Sequence, residues 1–157
     1  MALNSMGNHT WSSWLVVYHL LGNCGLVMLK TYLIAKLHDF VVTECNLNYE
    51  GSVSIDKYAL QACGIEPGEQ VHIWNITNGH RIITYAIEGE HGQICINGAG
   101  AHLFTVRDRV IIASFAQMTP NNWAASKGAR VLVRCKPDTH TSDLNITNSN
   151  WDAKWVK

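Results

Sequence analysis

The chain reads as a mainly β protein, a small closed barrel with short helices, and three observations carry that expectation. Of its 157 residues, 47% are apolar and only 15% charged, which supplies one core and excludes disorder throughout. Runs rich in Val and Ile recur at short spacing between Gly, Asn and Pro, as short strands joined by turns do. Asn78-Gly79 separates two of these runs, which is the signature of a type I′ hairpin.

In chain order, Val41-Val42-Thr43 reads as strand, and the polar stretch Glu44 to Glu50, ending in Gly51-Ser52, as turn. Asp56 to Cys63 predicts a short helix with Asp56 near its N-cap and Gly64 at its C-terminal cap. Pro67-Gly68 turns the chain again. Gln70 to Thr77 and His80 to Ile87 are the arms of the hairpin, and further strands are predicted at Gln93 to Asn97, Arg109 to Phe115 and Ala129 to Cys135. This organisation makes 28–136 the barrel domain and 137–157 a polar C-terminal tail.

Residues 1–27 form an N-terminal extension. Its apolar runs are interrupted by His19, Gly22, Asn23 and Gly25, short of the ~18 to 20 apolar residues that a spanning helix needs. No Lys or Arg precedes Lys30, so the basic start of a secretory signal is missing. The expectation is a poorly ordered segment ahead of a second candidate start at Met28, with a surface anchor as the alternative.

Composition narrows the function further. Twelve Lys and Arg balance twelve Asp and Glu, and no basic run exists to neutralise a phosphate backbone, so nucleic acid is not expected as a partner. Five cysteines, none in a close-spaced pair, offer neither a disulfide framework nor a structural zinc site, and no metal is expected. Of three sequons, the one at Asn75 lies in a predicted strand, where a glycan is awkward. His72, His80 and His91 read as strand or turn residues. None of GxSxG, HExxH or GxxxxGK[ST] occurs.

Gly51-Ser52 alone is an ordinary turn dipeptide, yet it also suits a self-cleaving peptide. Strain at the turn would let the Ser52 hydroxyl attack the Gly51 carbonyl, which no side chain obstructs, and replace the amide by an ester. Elimination then leaves dehydroalanine, and hydrolysis yields a pyruvoyl group at the new N-terminus.

Six ordered blocks set this dipeptide in context: Lys36-Leu37-His38, Asn48 to Ser52, Ile73 to Gly79, Arg81 with Thr84 to Ile87, Asn97 to His102, and Asp108 to Phe115. Together they resemble the pyruvoyl-dependent aspartate 1-decarboxylases, which make β-alanine for pantothenate and coenzyme A. The resemblance implies a double-psi β-barrel assembled as a homotetramer in the cytoplasm, with no membrane association and L-aspartate as substrate. It makes Gly51-Ser52 the cleavage site and Ser52 the source of a covalently bound pyruvoyl group that forms a Schiff base with the substrate amine.

It further implies Tyr85 as proton donor, since an ordinary phenol keeps its proton at neutral pH. Lys36 and Arg81 correspond to the cations that hold the substrate carboxylates, and Thr84, Gly98, Ala99 and Gly100 to the remaining substrate contacts. Asn97, His38 and Tyr49 are further candidates. Gly100 departs from the usual Ala, and Asp39 stands where relatives often carry a basic residue. Whether cleavage is spontaneous or needs an accessory maturation factor stays open. Two other readings remain: a pyruvoyl-dependent decarboxylase of another amino acid, and an unprocessed barrel that acts as a binding module.

Strand alternation adds an independent point. Arg81 and Tyr85 share one strand face ~13 Å apart, too far for one four-carbon substrate, whereas Thr84 faces the other side. Either the strand bends, or these residues serve a cleft between subunits; the subunit interface is favoured.

Overall fold

The computed structural model describes residues 27–134 and the strand Leu144–Thr147; the extension up to residue 26 and the rest of the tail lie outside the described residues. The described residues form a nine-stranded mixed sheet with two short helices and one 3₁₀ turn, a mainly β, barrel-like fold. The strands are β1 (Lys30–Val41), β2 (Glu44–Asn46), β3 (Ser52–Asp56), β4 (Gln70–Asn75), β5 (Arg81–Gly89), β6 (Ile94–Asn97), β7 (Arg109–Met118), β8 (Arg130–Arg134) and β9 (Leu144–Thr147). Their order in the sheet is β2-β6-β3-β5-β4-β7-β1-β8-β9.

Alternation sorts each strand into two faces. Leu37, Val53, Val71, Ile73, Val110 and Ile112 turn inward and are fully buried. Beyond β1, Val42 donates its N–H to Asp108 and Thr43 donates to Ile94, so the chain crosses from β7 to β6 within two residues. That crossing ties together strands far apart in the sheet order. Two register shifts interrupt β1, and Asp39, in the second, has a left-handed φ of +65°. Its carboxylate meets Arg109 Nε at 2.5 Å.

The helix α1 (Lys57–Cys63) is capped as its sequence predicts: Asp56 accepts the Tyr58 N–H, and Gly64 closes it in the left-handed region. α2 (Pro120–Ala125) begins at Thr119, whose hydroxyl accepts the Asn122 N–H, and its Trp123 stacks on Tyr32.

The hairpin differs from the two-residue turn expected at Asn78-Gly79. Trp74 pairs with Arg81 and Asn75 receives Gly79, which gives a longer loop. The cause is Asn75, whose buried carboxamide donates to Asp108 and accepts the N–H groups of Thr77 and Asn78. It ends β4 early with a side-chain turn, and Ile76 then bonds to Arg109 of β7. Because the pairing moves by an even number of residues, every side chain keeps its face. Three other elements extend the reading. β1 begins well before Val41, the polar stretch after Thr43 contains β2, and within the tail β9 pairs antiparallel with β8.

Candidate active site

Ser52 opens β3 at the end of the Asn48–Gly51 turn. Gly51 and Ser52 both hold φ near +108°, and Ser52 is one of three described non-glycine residues with positive φ. A side chain in that region carries strain on the order of 1 to 3 kcal/mol. The strain sits at the Gly51-Ser52 peptide bond.

What holds Ser52 there is visible in its neighbours. It pairs with Asn97 of β6 across an antiparallel ladder, and both are nearly inaccessible to solvent. Asn97 Nδ2 donates to Ser52 Oγ at 3.1 Å and to Ser54 Oγ at 3.0 Å. Its Oδ1 accepts from Cys95 Sγ at 3.2 Å. Gly98, at φ +61°, lies against the same turn: a Cβ there would stand 2.8 Å from Gly51 Cα and 2.9 Å from the Tyr49 carbonyl oxygen. Only glycine lets the two backbones approach so closely.

Tyr85 reaches this group through β5. The parallel pair of β3 and β5 aligns Val53 with Ala86, so Ser52 and Tyr85, one residue earlier on each strand, are neighbours on the face turned away from the core. Tyr85 is 44% exposed, open to a ligand, whereas Thr84 turns inward opposite buried Val71. Gly98, Ala99 and Gly100 begin the 3₁₀ turn Gly98–Leu103, where leading N–H groups have no partner within the turn. At Gly100 a Cβ would stand 3.0 Å from Ile82 Cδ1, the end of a side chain that can shift by a few tenths of an ångström. Tyr49 is exposed on the turn before Gly51.

Lys36, His38 and Arg81 lie elsewhere on the same outward face. The β5–β4–β7–β1 registers give one row Arg81, Trp74, Ile111, His38 and another Ile83, His72, Ala113, Lys36. Lys36 and His38 are thus four strands from Ser52 along the order of the sheet. Arg81 is continuous with Tyr85 along an unbulged β5 and sits over the Trp74 ring, 5.6 Å from its centroid. His38 Nδ1 is buried without a hydrogen-bond partner, and burial, then Lys36, lowers its pKa. Ile83, between Arg81 and Tyr85, is 61% exposed.

One chain therefore brings together Gly51, Ser52, Tyr85, Asn97 and the Gly98–Gly100 turn, and does not bring Lys36, His38 or Arg81 to them. Sequence reasoning missed Ser54 and Cys95; alternation along β3 and β6 puts them beside Ser52 and Asn97 only once the pairing is known. No group of three or more His, Cys, Asp or Glu suited to a metal exists among the described residues. None of the described helices is long and apolar enough to cross a membrane.

A family model described as aspartate decarboxylase matches residues 28–139. Aspartate 1-decarboxylase 1 of Polaromonas sp. (strain JS666) is 53% identical over 122 residues, 76% of this chain and 95% of that protein. Aspartate 1-decarboxylase of Polaromonas naphthalenivorans is 45% identical over 122 residues, covering 76% of this chain and 94% of the relative. That of Hyphomonas neptunium is 57% identical over 90 residues, covering 56% and 76%. A family match over most of the chain, joined by near full-length relatives and by the strained Gly51-Ser52 bond beside Tyr85 and Asn97, leads to one assignment: the chain belongs to the aspartate decarboxylase family.

Proposed function

We propose that this chain decarboxylates L-aspartate to β-alanine, in the cytoplasm and for pantothenate synthesis, after converting Ser52 into a pyruvoyl group by self-cleavage at Gly51-Ser52. The observation that carries the reading is the pair of positive φ angles at the scissile bond, with Ser52 Oγ held by Asn97. The residues present fit the group: a buried serine after an unobstructed glycine carbonyl, with an amide donor on its oxygen.

The ordinary peptide is the stable form, so the acyl shift needs its ground state raised, and the strain at Ser52 does that. Attack by Oγ forms an ester and frees the Ser52 nitrogen. Loss of the Cα proton then breaks Cβ–Oγ, leaving a carboxylate on Gly51 and dehydroalanine at position 52. Water adds, ammonia leaves, and the pyruvoyl group remains. Asn97 donates to the oxygen that carries charge as Cβ–Oγ breaks.

The pyruvoyl carbonyl supplies a sink for the electron pair left when the α-carboxylate departs as CO₂. Tyr85, on the exposed side of that position, returns a proton to the carbon that has lost CO₂. Gly98, Ala99 and Gly100 offer backbone donors to the substrate and Tyr49 borders the turn, whereas Thr84 faces inward on the other side of β5 from Tyr85. Arg81 and Lys36 take the two carboxylates, and a pair of cations selects a diacid. Since they stand far from Ser52 in their own chain, they serve the site of a neighbouring copy, with His38 alongside Lys36. The assembly is a homotetramer with sites at its interfaces, and 28–136 is the domain that builds it.

Intact mass and fragment sequencing test this. The purified protein should yield one piece ending at Gly51 and one starting at a pyruvoyl group, which blocks Edman degradation. Ser52→Ala should stay whole and inactive. A wild-type protein that remains a single full-length species, or a free serine at the new terminus, would remove the basis of the proposal.

A further inference from the structure

We infer that Cys95 is a positioning residue for maturation: its S–H fixes the Asn97 carboxamide so that the amide N–H points at Ser52 Oγ. The inference rests on Gly51-Ser52 being the cleavage site. Cys95 and Asn97 are two residues apart on β6, hence on one face, and that strand lies between β2 and β3. Both are almost fully buried, at 3% and 4% exposure, so bulk water does not choose the orientation of the carboxamide.

Asn97 has two ends and two flip states. In the observed state Nδ2 meets two hydroxyl oxygens, Ser52 Oγ at 3.1 Å and Ser54 Oγ at 3.0 Å, and Oδ1 receives Cys95 Sγ at 3.2 Å. The same sulfur lies 4.0 Å from the Ile96 carbonyl oxygen, a much longer contact, and the Glu44 carboxylate and the Asn46 backbone also stand beside it. Flipping the amide would turn its N–H groups toward sulfur, a weak acceptor, and present Oδ1 to Ser52. No donor would then face Oγ when the Cβ–Oγ bond breaks and its electrons pass to the new Gly51 carboxylate. The thiol keeps its proton for this duty, because burial and then the nearby Glu44 carboxylate push its pKa up to about 11. Cys95 touches no reacting atom; it acts through Asn97.

The test compares Cys95→Val with Cys95→Thr in the full chain, near-identical shapes that differ in one hydroxyl donor. Cleavage is followed by intact mass from freshly purified precursor, beside wild type and Ser52→Ala. One neutral hydrogen bond of ~1 to 1.4 kcal/mol corresponds to a rate ratio of about 5- to 10-fold. Cys95→Thr should therefore cleave about 5- to 10-fold faster than Cys95→Val, even if repacking slows both. Equal rates for the two variants, or a Cys95→Val protein that matures as fast as wild type, would overturn the inference while leaving the cleavage site intact. A wild-type chain that never cleaves would instead overturn the cleavage reading, and this inference with it.

Discussion

Ser52 combines two features that ordinary folding avoids, a left-handed backbone at a residue with a Cβ and a buried hydroxyl beside a glycine carbonyl. Asn97 satisfies the hydroxyl, so the strained position is not also an unpaired one. Tyr85 has a different part, because it lies on the exposed side of the same strand pair. Tyr85→Phe keeps the ring and removes only the hydroxyl that would give the proton. It is expected to cleave at Gly51-Ser52 as wild type does, read by mass, while turnover falls ~10²- to 10⁴-fold, read by β-alanine formation. Undiminished turnover in a fully cleaved variant would give the proton-donor role to another group.

Between elements, the decisive contact is that of the Gly98–Leu103 turn with the turn before β3. Gly98 is held at positive φ and packed on Gly51 and Tyr49, so a side chain there must push the Tyr49–Gly51 segment away. Gly98→Ala is expected to lower the thermal midpoint and to slow self-cleavage at least ~10-fold, the equivalent of ~1.4 kcal/mol lost from positioning. Mass spectra of the precursor over time, with a melting curve, check both; cleavage at the wild-type rate would show that the packing does not position the bond. The same logic explains the β4–β5 loop. Asn75 is committed to Asp108 and to two N–H groups of the loop, so the turn is set by a buried side chain rather than by Asn78-Gly79 alone.

For the whole molecule, the outward face of the sheet carries Arg81, Ile83, Tyr85, Lys36 and His38 across strands whose other face fills the core. If neighbouring copies complete each site, mixing inactive Arg81→Ala with inactive Tyr85→Phe under subunit exchange should restore part of the activity. Some mixed sites then contain both wild-type side chains. No recovery, with exchange confirmed by mass, would put both residues in one chain's site.

Alkaline stability is a second property of the entire fold. Burial pushes the Cys63 thiol up to about 11 from an unfolded value of 9.0. The unfolded chain therefore loses this proton first, so the contribution is neutral below pH 9 and stability falls as pH rises from 9 to about 11. The loss is about 2 to 3 kcal/mol. Denaturant midpoints of wild type and Cys63→Ala at pH 8 and pH 11 should differ in their fall by that amount. Parallel declines would assign the alkaline loss to other groups.

By itself the sequence determined the mainly β class, the capped helix from Asp56 to Gly64, the strands around Asn97 and Ile112, and the turn that ends in Gly51-Ser52. These follow from local rules: period-two alternation, capping side chains and a contiguous motif. It also separated Arg81 from Tyr85 on β5, because alternation survives an even change of register. Only tertiary structure decided what surrounds Ser52. The pairing of β6 with β3 joins Cys95 and Asn97 to Ser52 and Ser54 from 41 to 45 residues away, and the parallel pairing of β3 with β5 brings in Tyr85. Strand order likewise set Lys36 and His38 apart from Ser52. A strand's own sequence states which residues share a face; it does not state which strand will lie beside it, since that choice is made by the closure of one common core.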